Sequence, residues 1–252
     1  IFHPNSVAVA RYGASFGQNI PQIVTHILQK AFFRHALKRM KHALKALKDN
    51  ERWVREIALL RKEYEGKIKM KTLIFNGSPR KNGETAYMIR TLQENLGGDF
   101  KVVNAYRADI RPCIDCRWCF DHAGCAVKDE WQEVLSYIEE CDHIIMASPV
   151  YFEEVTGMLL AVMSRLQTYF SARYIRKEEP VPKKKTGAVL LTAGSIGPRE
   201  KAESTAEMLL RQMSCDSLGT VYVNRTDKVP VRDREDIIQE IKDLAGRLKT
   251  AE

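Results

Sequence analysis

Residues 71–85 read KTLIFNGSPRKNGET, and this stretch decides the fold class of the chain. Its first six residues, Lys71–Asn76, form a short, apolar, partly β-branched run that is typical of a buried strand. The residues that follow, Gly77–Gly83, are rich in Gly, Ser, Pro and Asn, and a helical apolar spacing begins near Thr85. We therefore predict a strand, a tight loop at its carboxyl end, and a helix.

The same alternation of strand and helix repeats as far as residue 252. Four more apolar runs are predicted to be strands, namely Phe100–Asn104, Asp142–Ala147, Thr186–Thr192 and Leu218–Val223. Amphipathic stretches are predicted to be helices over Glu84–Leu96, Asp129–Glu140, Val155–Phe170, Arg199–Met213 and Arg232–Leu248. Five β/α units in succession require right-handed crossovers, so the predicted class is α/β with a parallel sheet covered on both faces.

Residues 1–69 differ in composition and are predicted to form a basic helical extension, separate from a domain over residues 70–252. The extension holds 14 Lys and Arg against 5 Asp and Glu, whereas residues 70–252 hold 26 against 27. The net charge of +8 therefore belongs to the extension, and the main domain is not broadly basic as a DNA-binding domain is. We expect the extension to pack on the main domain or on a partner chain, and not on nucleic acid or a membrane.

The chain contains no apolar run that approaches the roughly 20 residues needed to span a bilayer. Its N-terminus also lacks the short apolar segment and the small-residue cleavage site of a secretory signal. We therefore expect a cytoplasmic location, where the reducing environment keeps cysteines as thiols.

The loop after the first predicted strand has the composition of a phosphate site. The start of a helix offers backbone amides, Ser78 and Thr85 add hydroxyl donors, and Arg80 adds a charge-assisted hydrogen bond. Gly83 permits a close backbone approach. Neither G-x-G-x-x-G nor G-K-[ST] is present, which disfavours dinucleotides and nucleoside triphosphates and leaves a monophosphate such as FMN. An ordinary β-to-α turn is the alternative interpretation.

Two further loops follow predicted strands at the same edge of the sheet, Ser148–Phe152 (SPVYF) and Thr192–Ser195 (TAGS). Together with GSPRKNGET they resemble, across residues 70–252, the NAD(P)H-dependent FMN reductase family of flavodoxin-like proteins. The resemblance implies a flavodoxin-like three-layer sandwich, a five-stranded parallel sheet of order 2-1-3-4-5, and non-covalently bound FMN. In one respect the chain departs from the family: Ser164-Arg165 stands where members often carry an acidic residue before the Arg, which weakens the expectation of a subunit contact through that acid.

The resemblance also implies a set of cofactor contacts. The implied residues are Ser78, Arg80, Asn82, Gly83 and Thr85 at the phosphate, Pro149, Val150, Tyr151 and Phe152 at the isoalloxazine ring, and Ala193, Gly194 and Ser195 at the polar edge of the ring. Backbone amides near that edge stabilise the reduced, anionic flavin. The alternative interpretation of Tyr151 and Phe152 is core packing.

Four cysteines, Cys113, Cys116, Cys119 and Cys125, follow the second predicted strand with the spacing C-x2-C-x2-C-x5-C. Thiolates this close together in a chain without a secretory signal usually hold a metal or a cluster. The motif resembles that of the iron–sulfur flavoproteins, a branch of the same family, which implies a [4Fe–4S] cluster that exchanges electrons with FMN. A zinc site, redox-active thiols and a loop without metal remain open. The remaining cysteines are predicted to be core residues, Cys141 and Cys215.

The sequence therefore predicts an FMN-dependent oxidoreductase that takes electrons from NAD(P)H or a reduced protein and passes them to an acceptor, with or without a cluster as intermediary. We predict no catalytic side chain, because the flavin carries the chemistry. Two alternatives stay open: a non-enzymatic flavin and iron–sulfur electron carrier, and an interaction module whose four cysteines hold zinc. We expect a homodimer or tetramer.

Overall fold

The computed structural model describes residues 70–251, so the predicted helical extension over residues 1–69 lies outside the described residues. The strands are β1 (Lys71–Asn76), β2 (Asp99–Asn104), β3 (His143–Pro149), β4 (Lys185–Thr192) and β5 (Cys215–Val223). The helices are α1 (Glu84–Leu96), α2 (Trp118–Asp121), α3 (Trp131–Glu140), α4 (Gly157–Met163), α5 (Gln167–Ser171), α6 (Glu200–Gln212) and α7 (Glu235–Thr250). No helix in this part of the chain is long and apolar enough to cross a bilayer.

The five strands pair in parallel in the order β2-β1-β3-β4-β5, which confirms the predicted flavodoxin-like fold. Their carboxyl ends lie at one edge of the sheet. Asn76 at the end of β1 is in register with Asn104 of β2 and Ala147 of β3, and Pro149 of β3 is in register with Thr192 of β4. The loops with the predicted cofactor residues therefore begin side by side, at the edge where open parallel sheets bind ligands.

Apolar side chains cover both faces of the sheet. Leu73 and Phe75 of β1 are fully buried and pack in one layer with Trp131 of α3. Ile74, which points the opposite way, packs in the other layer with Leu92 of α1. Burial on both faces explains the uninterrupted apolar residues in the middle of β1 and β3. Each such side chain stabilises the fold by about 1.5–3 kcal/mol, so the strand ends that hold the loops are firmly fixed.

One predicted helix, Val155–Phe170, is wrong in its extent, whereas the other predicted elements are confirmed with ends that differ by up to three residues. Thr156 caps α4 by accepting a hydrogen bond from a first-turn amide. The helix then tightens to a 3-10 turn at Ser164–Leu166, continues as α5, and widens to a π-helical turn at Ala172–Arg176. The Ser164 hydroxyl donates to a carbonyl of the preceding turn, a local bond that bends helices.

Candidate functional site

The loop between β1 and α1 presents hydrogen-bond donors at the carboxyl edge of the sheet. The amide of Ser78 donates to the side-chain oxygen of Asn76 at 2.9 Å, and the Ser78 hydroxyl accepts from the amide of Arg80 at 3.3 Å. That hydroxyl hydrogen is therefore free to donate. The Arg80 and Asn82 side chains are exposed, and Gly83 has no side chain to cap the first-turn amides of α1. This arrangement suits a bound anion.

Two charged neighbours of this loop, Glu84 and Arg107, also affect how it would bind an anion. Glu84 is the acidic residue in the first turn of α1, but its carboxylate accepts a hydrogen bond from the amide of Val231 at 2.6 Å. The carboxylate is thus held by a backbone amide. Arg107 donates to the carbonyl of Pro79 at 2.6 Å, which braces the loop and adds positive charge beside it.

Gly77 connects this loop to the one that follows β3. The Thr156 hydroxyl donates to the Gly77 carbonyl at 2.8 Å, and the Thr156 amide donates to the Ser148 hydroxyl at 3.1 Å. A Cβ atom at position 77 would lie 2.9 Å from both hydroxyl oxygens and 3.0 Å from a methyl group of Leu159. Only glycine fits without displacing this network, so the two loops have a fixed spacing.

The loop after β3 is a tight turn that projects aromatic side chains. Tyr151 and Glu154 exchange backbone hydrogen bonds of 2.8 and 3.1 Å, and Phe152 and Glu153 between them have φ angles of 53° and 65°. Tyr151 is 45% exposed and Phe152 is 100% exposed. The alternative interpretation of these aromatics as core residues is therefore wrong. Neither side chain is buried by the described part of the chain, and both are available to a ligand.

The third loop begins at the end of β4. The Ala193 amide donates to the Val223 carbonyl at 2.8 Å, so it is engaged in the sheet and the amides of Gly194 and Ser195 are left as candidates for the ring edge. A Cβ atom at position 194 would lie 2.4 Å from a carboxylate oxygen of Asp227. A larger residue at this position would therefore have to displace the Asp227 carboxylate.

The four-cysteine loop leaves the carboxyl end of β2, beside β1. All four cysteines are free thiols; Cys119 is buried, Cys113 and Cys125 are half-buried, and Cys116 is exposed. All four line one cavity of ≈ 20 Å³, which is a water-sized space. Among residues 70–251 no three Cys, His, Asp or Glu side chains are already arranged around a metal position. The fold thus gathers the thiols around a common space without a preformed ligand shell.

Helix α5 and the π-helical turn hold the buried thiol in place. The sulfur of Cys119 lies 3.2 Å from the Ser171 hydroxyl oxygen, and it donates to the Gln167 carbonyl at 3.9 Å. Arg176 donates to the backbone carbonyl of Cys119. These contacts fix the centre of the loop on one side.

Arg165 fixes the two ends of the same loop. Its guanidinium donates to the carbonyl of Arg111 at 2.9 Å, to the carbonyl of Val127 at 3.1 Å, and to the carboxylate of Asp129 at 2.7 Å. The Arg165 side chain is fully buried and that of Asp129 almost so. Burial raises the pKa of Asp129, but the hydrogen bonds from Arg165 and two backbone amides outweigh burial and hold that pKa below its usual value. The carboxylate therefore stays ionised beside the guanidinium.

Comparison with known proteins identifies the family. The family model described as NADPH-dependent FMN reductase matches residues 70–227.

The chain belongs to this family.

The resemblance predicted from GSPRKNGET, SPVYF and TAGS is thereby confirmed.

Curated relatives point to one branch of the NADPH-dependent FMN reductase family. An iron-sulfur flavoprotein of Methanocaldococcus jannaschii is 31% identical over 134 residues, which is 52% of this chain and 66% of the relative. An iron-sulfur flavoprotein of Archaeoglobus fulgidus is 28% identical over 153 residues, which is 60% of this chain and 66% of the relative. The match thus spans just under two thirds of the length of these relatives.

Solved structures show the same fold. An NAD(P)H:quinone oxidoreductase from Methanothermobacter marburgensis aligns with a TM-score of 0.57 at 16% identity, covering 73% of this chain and 100% of that one. An FMN-dependent NADH-azoreductase from Bacillus anthracis, solved in complex with FMN, aligns with a TM-score of 0.53 at 16% identity, covering 71% of this chain and 100% of that one. At these identities the likeness shows the shared fold.

Several residues of this FMN reductase family member were missed from sequence alone. Thr192 lies 2.9 Å from Thr85 between hydroxyl oxygens, and Asp129 is paired with Arg165. The sequence held one indication that Arg165 is buried. The residue stands three positions after the apolar Val162, so the two lie on the same face of the predicted helix. A charged residue on an apolar face indicates a buried ion pair.

The opposite edge of the sheet is built for stability. Cys141 and Cys215 are buried there beside Lys185, which confirms their prediction as core residues. Burial raises the pKa of each of the two thiols to about 12 and lowers the pKa of Lys185 to about 8. These thiols are therefore protonated at neutral pH and take no part in the four-cysteine site.

Proposed function

We propose that this chain is an FMN-dependent oxidoreductase whose four-cysteine loop holds an iron–sulfur cluster, with a [4Fe–4S] cluster as the expected type. The observation that carries the proposal is that all four free thiols line one cavity, in a loop that leaves β2 beside the phosphate loop of β1. The family match supports FMN, and the names of the curated relatives support the cluster.

The phosphate end of FMN is assigned to the loop after β1. Ser78 and Thr85 offer hydroxyl groups, Arg80 and Asn82 offer exposed donors, and Gly83 leaves the first amides of α1 open. A phosphate at a helix start is stabilised by these amides and by charge-assisted hydrogen bonds to arginine. The hydrogen bonds of Thr156 to Gly77 and Ser148 hold this loop beside the loop to which we assign the ring.

The isoalloxazine ring is assigned to the loops after β3 and β4. The residues proposed to line it are Pro149, Val150, Tyr151 and Phe152 along its faces and Gly194 and Ser195 at its polar edge, with Ala193 contributing through its position rather than its amide. Bound FMN supplies hydride transfer and single-electron transfer, and thiolate-held iron supplies single-electron transfer. The side chains of the protein bind and orient the groups, and none has to act as an acid or base.

The donor set fits an iron–sulfur cluster. Four thiolates satisfy four irons with one protein ligand each, and cluster ligands are commonly spaced by two residues in such runs. Zinc sites more often use two separated pairs of ligands. We propose that NAD(P)H or a reduced protein supplies electrons and that the chain works as a homodimer or tetramer in the cytoplasm.

The experiment purifies the full chain without oxygen and measures bound flavin, iron, acid-labile sulfide and zinc per chain. We expect about one FMN and about four irons and four sulfides. Flavin without iron contradicts the cluster, and zinc without iron or flavin favours an interaction module. Steady-state oxidation of NADH and NADPH, compared with electron exchange with ferredoxin, then separates an enzyme from an electron carrier. Sedimentation velocity gives the oligomeric state.

A further inference from the structure

Arg165 contacts both ends of the four-cysteine loop. Its three hydrogen bonds reach Arg111 before the first cysteine, and Val127 and Asp129 after the last. The neighbouring Ser164 hydroxyl accepts from the amide of Cys113 at 2.9 Å. Ordering a flexible loop around a bound group costs conformational entropy. A loop whose two ends are already fixed to one turn loses less of this entropy than a free loop when its thiols bind a common group.

The same side chain also lines the cavity that the four thiols share. Arg165 is 1% exposed, and its Nε has no hydrogen-bond partner among the described residues, although both terminal nitrogens are satisfied. A buried N–H without a partner is costly in a folded protein and calls for an explanation. A sulfur atom held in this cavity would be an acceptor for such a donor.

We propose that Arg165 is the positioning residue of the four-cysteine site: it fixes both ends of the loop and donates its Nε–H to a sulfur of the group that the thiols hold. This inference rests on the proposed iron–sulfur function. Hydrogen bonds to sulfur stabilise the more negative, reduced state of a cluster and so raise its reduction potential. Asp129 neutralises the guanidinium, which lets the cation be buried at this point.

The variant that tests this assignment is Arg165→Lys, with Arg173→Lys as its matched control. Lysine keeps the charge opposite Asp129 but lacks the planar fork and the Nε–H of arginine. Arg173 lies in the π-helical turn that follows α5, and it donates to the Gln212 carbonyl and the Ser214 hydroxyl, away from the cysteine loop. Both variants remove one arginine from the same helical stretch.

The first readout uses cluster-free, FMN-loaded protein and measures the alkylation rate of Cys119 by mass spectrometry. Cys119 is only 8% exposed, so its modification reports loosening of the loop. We expect Arg165→Lys to raise the rate by about tenfold, equivalent to about 1.4 kcal/mol of local stability. Arg173→Lys should leave the rate and the bound FMN unchanged. A wild-type alkylation rate in folded Arg165→Lys overturns the proposal that Arg165 fixes the ends of the loop.

The second readout uses protein loaded with iron and sulfide and measures iron content and the reduction potential of the cluster. We expect less iron in Arg165→Lys, and a lower potential in the fraction that keeps a cluster, with both values unchanged in Arg173→Lys. An unchanged potential overturns the Nε–H bond to sulfur. If wild-type protein holds no iron, the proposed cluster and this bond are rejected together. The alkylation rate still tests whether Arg165 fixes the ends of the loop.

A third variant covers the case in which Arg165→Lys does not fold. A neutral residue at position 165 alone would leave Asp129 as a buried, unpaired charge, which destabilises proteins strongly. The double variant Arg165→Met with Asp129→Asn removes both charges and also lacks the hydrogen bonds of Arg165 to the ends of the loop. Retained FMN together with rapid alkylation of Cys119 supports the inference, and retained FMN with wild-type alkylation overturns it.

Discussion

The hydroxyl oxygens of Thr85 and Thr192 lie 2.9 Å apart, and this contact joins the first turn of α1 to the end of β4. Both side chains are buried at the carboxyl edge of the sheet. In the sheet β3 lies between β1, which leads into α1, and β4, so the contact fixes the helix start that we assign to the phosphate relative to the loop that we assign to the ring.

Replacing Thr192 with Val should lower the free energy of unfolding by about 1–3 kcal/mol, because the Thr85 hydroxyl is then buried without its partner. FMN affinity should fall as well, since the helix start is less firmly held. Urea unfolding and fluorescence titration of FMN measure the two effects. Thr192→Ser keeps the hydroxyl and is the control. A loss of stability in Thr192→Ser with none in Thr192→Val would show that the methyl group, and not the hydroxyl contact, matters.

Replacing Arg80 with Ala should weaken FMN binding by roughly 10- to 100-fold, as expected for loss of a charge-assisted hydrogen bond of about 1.5–3 kcal/mol. The fold should be intact, because the Arg80 side chain is exposed. Isothermal titration with FMN and with riboflavin checks the assignment, since riboflavin lacks the phosphate and should bind both proteins equally. Arg90→Ala, at another exposed position of the adjoining helix, is the control. An FMN affinity equal to that of wild type would remove Arg80 from the phosphate site.

The sequence predicts the central strands well because they are buried on both faces. Leu73, Ile74 and Phe75 are consecutive apolar residues of β1, and the predicted bounds Lys71–Asn76 agree with the strand. The phosphate loop is equally visible, since the residues from Gly77 to Thr85 are consecutive. What periodicity does not show is contact between distant residues. Thr85 and Thr192 are 107 positions apart, and nothing in the local pattern of either indicates the other.

The interrupted helix that begins with α4 is a second feature that the sequence pattern does not predict. Its apolar spacing continues through Ser164, so periodicity predicts one helix. The serine hydroxyl bonds back to the helix backbone and also accepts from Cys113, a residue of another loop. The change of pitch therefore depends on a tertiary contact, and the same holds for the buried pair of Arg165 and Asp129.

Replacing Gly77 with Ala should destabilise the fold by about 1–3 kcal/mol and reduce FMN affinity. The added Cβ meets the hydroxyl oxygens of Ser148 and Thr156 at 2.9 Å, so the two loops must move apart. Gly157→Ala is the matched control, because a Cβ there meets nothing within 4 Å and alanine favours the helix. Thermal unfolding and FMN titration compare the pair. Equal stability of the two variants would contradict the close packing at Gly77.

The lowered pKa of the buried Lys185 predicts how the free energy of unfolding depends on pH. Burial lowers its pKa from 10.5 to about 8, so below pH 8 the fold carries the full cost of a buried ammonium group. Between pH 8 and 10.5 the folded state loses this proton before the unfolded state does, and stability should rise with pH. The buried thiols act in the opposite direction only above their ordinary pKa of 9, since burial raises the pKa of Cys141 and of Cys215 to about 12.

Replacing Lys185 with Met should therefore stabilise the protein below pH 8, by on the order of 1–3 kcal/mol. The advantage should shrink as pH rises from 8 to 9. Lys184→Met, at the exposed neighbouring position, should show neither effect. Urea unfolding at pH 7, 8 and 9 measures the free energies. A constant difference between Lys185→Met and wild type across this range would contradict the lowered pKa.

Replacing Cys116 with Ala should abolish the iron content and the broad absorbance of a cluster near roughly 400 nm, since a [4Fe–4S] cluster needs a thiolate for each iron. FMN should stay bound, because Cys116 is exposed and lies outside the loops assigned to the flavin. Cys141→Ala removes a thiol from the buried opposite edge of the sheet and should keep both groups. Spectra and iron analysis of protein prepared without oxygen decide the matter. Loss of iron in both variants would point to general instability, and full iron in Cys116→Ala would exclude this thiol as a ligand.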